Sequence, residues 1–157
     1  MRHLITAAFA ALTLHLSSPP HAATGPNQGV TLLATARLMA FSASTDLSRT
    51  RRFYHDTLGL TVVEENPMVI VFSSARTQLR ISKVEKPVVA PYTVLGWKVA
   101  NSKAAVASLV AKGVVLERFQ NMMPQDADAI ATFPNGDRVV WFKDPDGHVL
   151  SQTQFSR

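Results

Sequence analysis

Apolar and polar positions along this chain fall into a pattern that runs twice. In the first half, residues 37–44 alternate and predict a strand. Asp46 follows, placed to cap a helix with its carboxylate. Leu47, Thr50, Phe53, Tyr54 and Leu58 then recur at helical spacing, with Arg49, Arg51, Arg52 and Asp56 elsewhere around the helix. Gly59 ends it. Three strand-like runs come next, 60–65, 68–73 and 77–83, separated by Asn66-Pro67 and Ser74-Ala75-Arg76. In the second half, residues 92–99 predict a strand and Asn101 the cap. Ala105, Val106, Leu109 and Val110 form an apolar stripe, Gly113 stops the helix, and 114–119 predict the next strand. The last two strands are a hairpin over 139–155, read VVWFKDPDGHVLSQTQF. There Asp144 bonds its own turn, Pro145 presets φ, and Gly147 takes the positive φ that closes the turn with a bulge.

The spacing is regular. Gly59 stands 13 residues after Asp46, Gly113 stands 12 after Asn101, and the two caps are 55 apart. The break between the halves falls at 85–91, with two prolines and little periodicity. Each βαβββ unit is too small to bury both faces of its sheet alone, so the two are expected to pack together. The widest difference between them is 121–137, NMMPQDADAIATFPNGD, a longer and partly acidic segment where the first half has a short link and a strand. Part of it, 129–133, is expected as an edge strand. The segment reads as a lid or as an ordinary surface loop, with Met122 and Met123 as an adaptable cover over an apolar ligand in the first case.

The start of the chain has a different character. Arg2 and His3 precede a mostly apolar run over 4–16, then a small and polar stretch with Pro19 and Pro20 before His21-Ala22-Ala23. This is the order of a secretory signal peptide over 1–23, cut near Ala22 or Ala23. It implies a periplasmic or secreted protein. The apolar run is too short for a permanent membrane span and no cysteine follows it for lipid attachment, so no stable membrane anchor is expected. Residues 24–35 read as a linker and 36–157 as one domain.

Composition narrows the chemistry. The chain has 157 residues, 46% hydrophobic and 17% charged, which suits one globular domain with a real core. It has no cysteine, which excludes disulfides, thiolate metal sites and a cysteine nucleophile. The net charge is +5, or +4 once Arg2 is removed, and favours anionic small molecules. The basic residues are dispersed, the densest group being Arg49, Arg51 and Arg52, so nucleic acid is not an expected partner.

The order βαβββ-βαβββ, with DLSRTRRFYHDTLGL (46–60) and WFKDPDGHVL (141–150), resembles the vicinal oxygen chelate superfamily. That is the glyoxalase, bleomycin-resistance and extradiol-dioxygenase group, and the likeness covers 36–155. The resemblance implies an α+β fold: two βαβββ modules form a half-barrel sheet with a concave cleft and helices outside. It also implies a divalent metal in that cleft, held by His, Gln or Glu from the first and last strands of each module. Carried over position by position, those places hold Met39, Arg80, Val94 and Ser151. A thioether, an alkyl chain and a guanidinium do not hold a hard ion. No metal or other cofactor is therefore expected.

Strand alternation puts Arg37, Met39, Phe41 and Ala43 on one face, with Gln78, Arg80 and Ser82, with Val94, Gly96 and Lys98, and with Val149, Ser151 and Thr153 on the matching faces of their strands. If these line the cleft, Met39, Phe41, Arg80, Val94, Lys98 and Ser151 are its substrate-binding residues. An apolar or aromatic anion suits them, its carboxylate held by an arginine fork. No catalytic residue is identified. His55 reads as a surface residue, and His148 as a turn residue or, failing that, a general acid or base near Asp126 or Asp128. Trp97 and Trp141 read as packing aromatics. The first functional expectation is an exported, metal-free binding module for a small organic anion. The alternative is a metal-dependent glyoxalase-like lyase or dioxygenase with atypical ligands, and a third is a protein-interaction subunit. The family resemblance also makes a homodimer possible.

Overall fold

The computed structural model describes residues 31–119 and 123–156. The expected signal peptide, residues 24–30 of the linker, and Met122 lie outside the described residues. Within the expected linker, Thr31–Thr35 forms a short helix, α1, in a unit of its own that ends at Ala36. From Arg37 onward a second unit holds both modules.

The first module runs β1 (Met39–Ser44), α2 (Leu47–Arg51) continuing into a π-helical stretch (Arg52–Thr57), β2 (Thr61–Asn66), β3 (Val69–Ser74) and β4 (Thr77–Lys83). Its four strands lie in the order β1-β4-β3-β2, with β1 parallel to β4 and the other pairs antiparallel. The second module runs β5 (Thr93–Lys98), α3 (Ser102–Ala111), β6 (Leu116–Glu117), β7 (Ala131–Thr132), β8 (Arg138–Lys143) and β9 (Val149–Gln154). Its order is β5-β9-β8-β6, with β5 parallel to β9 and β7 also paired to β8. The fold is α+β, two mixed sheets of βαβββ modules.

Both caps form as their residue types require. Asp46 Oδ1 accepts from Arg49 N at 3.0 Å, and Asn101 Oδ1 accepts from Ala104 N at 3.0 Å. The Arg49 amide, together with the nearby arginines, holds the Asp46 carboxyl below its ordinary range. Gly59 and Gly113 take φ of 80° and 79° at the helix ends. The one-residue difference between the halves has a structural counterpart. Leu58 N–H bonds Phe53 O, five residues back, at 2.9 Å, so the first helix opens into π geometry and holds one more residue per turn. In α3 the expected stripe is narrower than its sequence: Val106 is buried and Leu109 half-buried, but Val110 is exposed.

The core lies between the modules. Ile70, Phe72, Leu79 and Ile81 of the first sheet meet Phe142 and Leu150 of the second, with Tyr54, Leu60 and Val114 filling between. Each such side chain contributes about 1.5–3 kcal/mol when fully buried. Residues alternate along a strand, so the opposite faces of the two sheets point away from each other. One carries Met39, Phe41, Val71 and Arg80; the other carries Gly96, Trp141, Val149 and Ser151.

The edge of the second sheet is interrupted. Glu117 lies opposite Trp141, and Ala131 lies opposite Val139. In an unbroken strand Phe119 would face Val139, so the chain makes a 12-residue excursion before resuming the same edge. The strand expected over 114–119 is thus cut to Leu116–Glu117, and that expected over 129–133 to Ala131–Thr132.

A polar clasp ties the last hairpin to the first module. Asp144 Oδ2 accepts from Tyr54 Oη at 3.0 Å and lies 3.0 Å from His148 Nδ1. Asp144 Oδ1 accepts from Asp146 N at 3.0 Å and His148 N at 2.9 Å. Burial, and then the Asp144 charge, push the Tyr54 hydroxyl well above the usual phenol range, so it stays a donor. Beside it, Asp146 Oδ1 accepts from Thr45 N at 3.1 Å, Thr45 Oγ1 at 2.8 Å and Arg49 Nη2 at 3.1 Å. Burial opposes ionisation of Asp146, but these hydrogen bonds, with one from Ser44, win and lower its carboxyl from the ordinary value.

Two outcomes follow from this clasp. Tyr54→Phe keeps the ring packing and removes one donor from a buried carboxylate, so urea unfolding is expected to show a loss of about 1–3 kcal/mol. An undiminished midpoint would make the bond irrelevant to stability. Asp146 is depressed in the folded state, so its contribution is complete above the unfolded carboxylate value and disappears as pH falls through the folded one. Asp146→Asn should therefore lower Tm by a few degrees at pH 7, with the gap to wild type closing below about pH 4. A gap that stays constant through that acid range would contradict the assignment.

Candidate functional site

The first sheet's outer face is built on β4, which has a neighbour on both sides. Arg80 stands in its middle, with Phe41 of β1 directly opposite on one side and Val71 of β3 on the other. Beyond Val71, across a bulge, lies Glu64. The adjacent row brings Met39 beside Gln78. Cross-strand partners share a face, so Met39, Phe41 and Arg80 come together as the alternation predicts. Phe41 is 67% exposed, Met39 is exposed, and Arg80 is half-buried. No described residue accepts a hydrogen bond from the Arg80 guanidinium, and Glu64 instead accepts from Asn66 Nδ2 at 3.3 Å. A half-buried arginine flanked by an open phenyl ring and aliphatic walls can pair its guanidinium bidentately with a carboxylate whose body rests on those walls.

The second sheet's outer face differs. Ser151 is only 6% exposed, opposite Gly96 on one side and Trp141 on the other. A Cβ at Gly96 would stand 2.9 Å from Ser151 Oγ, so the glycine makes room for the serine. Trp141 Nε1 donates to Thr93 Oγ1 at 3.1 Å, and Phe119 packs edge-on to the indole at 5.6 Å. Ala131, Val149, Met123 and Phe133 complete this cluster. Lys98 Nζ sits 5.4 Å from the Phe155 ring centre. Val94 does not alternate as expected. It is the extra residue of a bulge, since Thr93 faces Val149 and Leu95 faces Leu150. Thr93 takes the place on this face that simple alternation gave to Val94. The six expected binding residues are thus divided, Met39, Phe41 and Arg80 on the first sheet and Val94, Lys98 and Ser151 on the second.

The excursion that covers part of this face is pinned at its base. Arg118 donates to Asp126 O at 3.0 Å and Ala127 O at 2.8 Å. Gln125 accepts from Phe119 N at 2.8 Å and donates to Glu117 O at 3.0 Å and Ala129 O at 2.8 Å. Met123 packs into the sheet's own cluster.

The histidines have local partners. His148 bonds its own turn, and its acid is Asp144, not Asp126 or Asp128. Asp126 instead accepts from Asp128 N and Ile130 N at 2.9 Å. His55 Nδ1–H donates to Leu60 O at 2.7 Å, tying the end of the π stretch. Both tryptophans pack as expected, Trp97 stacking on Phe142 at 6.5 Å.

The strand ladders equate Arg80 with Ser151, since Phe41 and Gly96, their partners, each stand five residues before a helix cap. At the four positions where the family resemblance implies a metal the structure therefore places the thioether of Met39, the guanidinium of Arg80, the hydroxyl of Thr93 in place of the expected Val94, and the buried hydroxyl of Ser151. That set does not fit a hard divalent ion. Among the described residues, no group of three or more His, Asp or Glu could hold one.

Comparison with known proteins agrees with this architecture. A model of the Glyoxalase/Bleomycin resistance protein/Dioxygenase superfamily matches residues 39–151. Similar solved structures include a glyoxalase/bleomycin resistance protein/dioxygenase from Alicyclobacillus acidocaldarius, at TM-score 0.62 and 14% identity over 78% of this chain and 93% of that one. A superfamily member from Sphaerobacter thermophilus reaches 0.61 and 22% identity over 78% of this chain and 99% of that one. Lactoylglutathione lyase from Agrobacterium tumefaciens reaches 0.59 and 17% over 76% and 93%. At these identities the likeness speaks for the fold. No curated protein matches the chain. The twofold βαβββ order, the hairpin clasp and the family match over most of the chain lead to one conclusion: the protein belongs to the glyoxalase/bleomycin resistance protein/dioxygenase superfamily.

Proposed function

We propose that this is an exported member of the superfamily that binds a small organic anion on the outer face of its first sheet, without the metal that the family resemblance implies. The supporting observation is Arg80: a half-buried arginine whose guanidinium has no acceptor among the described residues, between Phe41 and Val71. The second sheet's outer face is filled by Trp141 and its neighbours, and so acts as scaffold. The exposed Phe41 and Met39 on β1, an edge strand, and the exposed Tyr92 and Val94 at β5, the other edge, would be covered by a second copy of the chain. In that homodimer the partner would close the anion site from the open side. Sequestration of an organic acid outside the cytoplasm is the role this reading gives.

The alternative, a metal-dependent lyase or dioxygenase, draws on Gln78 and Glu64, which share this face with Arg80. Metal content separates the two. Purified protein incubated with Zn, Ni, Mn and Fe(II) is expected to retain none tightly by plasma mass spectrometry; about one ion per chain would overturn the metal-free reading. In a thermal-shift panel of aromatic and aliphatic carboxylates without a ring hydroxyl or N–H, Arg80→Ala should weaken binding at least about tenfold. An undiminished shift in that variant would remove Arg80 from the site. Export predicts that protein recovered from the periplasm or medium lacks the residues up to Ala22 or Ala23 by intact mass.

A further inference from the structure

We propose a second ligand site, in the crevice where the two modules meet on their helix side, for a flat aromatic acid with a hydroxyl or N–H donor on its ring. The crevice has a volume of about 480 Å³, inside the range of small-molecule sites. Arg80, Phe41 and Met39 do not line it; its walls are α3, the ends of the strands, and Trp97, Phe142 and Gln152 from their inner faces. The end of the π stretch and the β3–β4 turn form one wall; the end of β5 and the exposed side of α3 form the other.

Its chemistry comes in three parts. Leu60, Leu109, Trp97 and Phe142 supply apolar walls, and the Trp97 indole is held by its Nε1–H donating to Ser74 Oγ at 3.1 Å. That bond crosses from one module to the other and fixes the ring against which a flat ligand would lie. Gln152 lines the crevice from β9 and is only 3% exposed. Its Nε2 donates to Ser102 O at 3.2 Å, while its Oε1 accepts from none of the described residues. An amide oxygen without a protein donor at the crevice wall is open to a ligand that brings one. At the rim, Lys112 Nζ donates to Thr57 O at 2.7 Å, which spends one of its three N–H groups and parks the ammonium at the mouth. An anion there would take the remaining two. Donor at the floor, ring between, and anion at the mouth describe a phenolic or indolic acid. Both modules contribute walls, so such a ligand would also brace their junction.

The test is a titration of ¹⁵N-labelled protein with 4-hydroxybenzoate. The two tryptophans give separate indole signals, Trp97 in the crevice and Trp141 on the outer face of the second sheet. The Trp97 indole and the amides of Gly59 and Ser74 are expected to move saturably while the Trp141 indole stays. Benzoate, which lacks the donor, and 4-hydroxybenzyl alcohol, which lacks the anion, should each bind at least about tenfold more weakly. Ser108 lies on the exposed side of α3 and lines the crevice, so Ser108→Phe should fill the space and abolish the movement. Lys112→Gln, at an exposed position that leaves the core untouched, should weaken binding severalfold and covers the case in which the filled variant misfolds. Arg80→Ala should leave this titration unchanged, which separates it from the proposed function. An unmoved Trp97 indole, binding that survives both crevice variants, or binding lost with Arg80→Ala would each overturn the second site.

Discussion

The buried carboxylate of Asp144 is the constraint on which the rest of the structure depends. A charge removed from water is costly unless each lone pair finds a donor. Here two backbone amides of its own turn, the His148 ring and the Tyr54 hydroxyl satisfy it. The first three close the β8–β9 hairpin in one register. The fourth comes from the π stretch of the first module, so hairpin geometry and module docking are held by the same group. Register in a strand decides which side chains face which way. Because Asp144 fixes β9, Leu150 and Gln152 point into the junction and Ser151 points out beside Trp141. A one-residue slip would put Ser151 into the core and take Gln152 out of the crevice.

The repeat, both caps, both glycine stops and the hairpin were legible in the sequence because each is a local matter of residue type and period. What was not legible is how small irregularities are absorbed. The first half carries one more residue between cap and stop than the second, and nothing in the apolar spacing says whether a loop or the helix takes it. The helix does, by bonding Leu58 to Phe53. At Val94 the same kind of surplus is taken by a bulge, and alternation fails locally while the rest of β5 keeps its faces. The excursion after Glu117 was visible as extra length. Its anchoring was hidden, because Arg118 and Gln125 act through backbone carbonyls, and such bonds leave no pattern in sequence.

The candidate site was legible by halves for a related reason. Alternation says which residues share a face but not what that face meets. It grouped Met39, Phe41 and Arg80 correctly and could not tell that the two sheets pack through their other faces. The inner faces won the core because they hold the larger unbroken apolar sets, Ile70 with Phe72, Leu79 with Ile81, and Phe142 with Leu150. Placing Arg80 there instead would bury a guanidinium without an acceptor, a cost that hydrophobic gain does not offset.

The two modules then use one ladder position in opposite ways. Arg80 and Ser151 are equivalent, and so are their neighbours, Phe41 with Gly96 and Val71 with Trp141. In the second module a small residue sits at the centre, glycine on one side clears space, and an indole from the other closes over it. In the first module the centre is long and cationic, its small neighbour is a valine, and the phenyl ring beside it stays open to solvent. Filling the second face supplies burial that a module of this size needs. Leaving the first face open costs some of that burial and leaves a cation unpaired, and such a cost is sustained where a ligand makes it good. The asymmetry between two otherwise matching halves is therefore what supports placing the proposed anion site on the first of them.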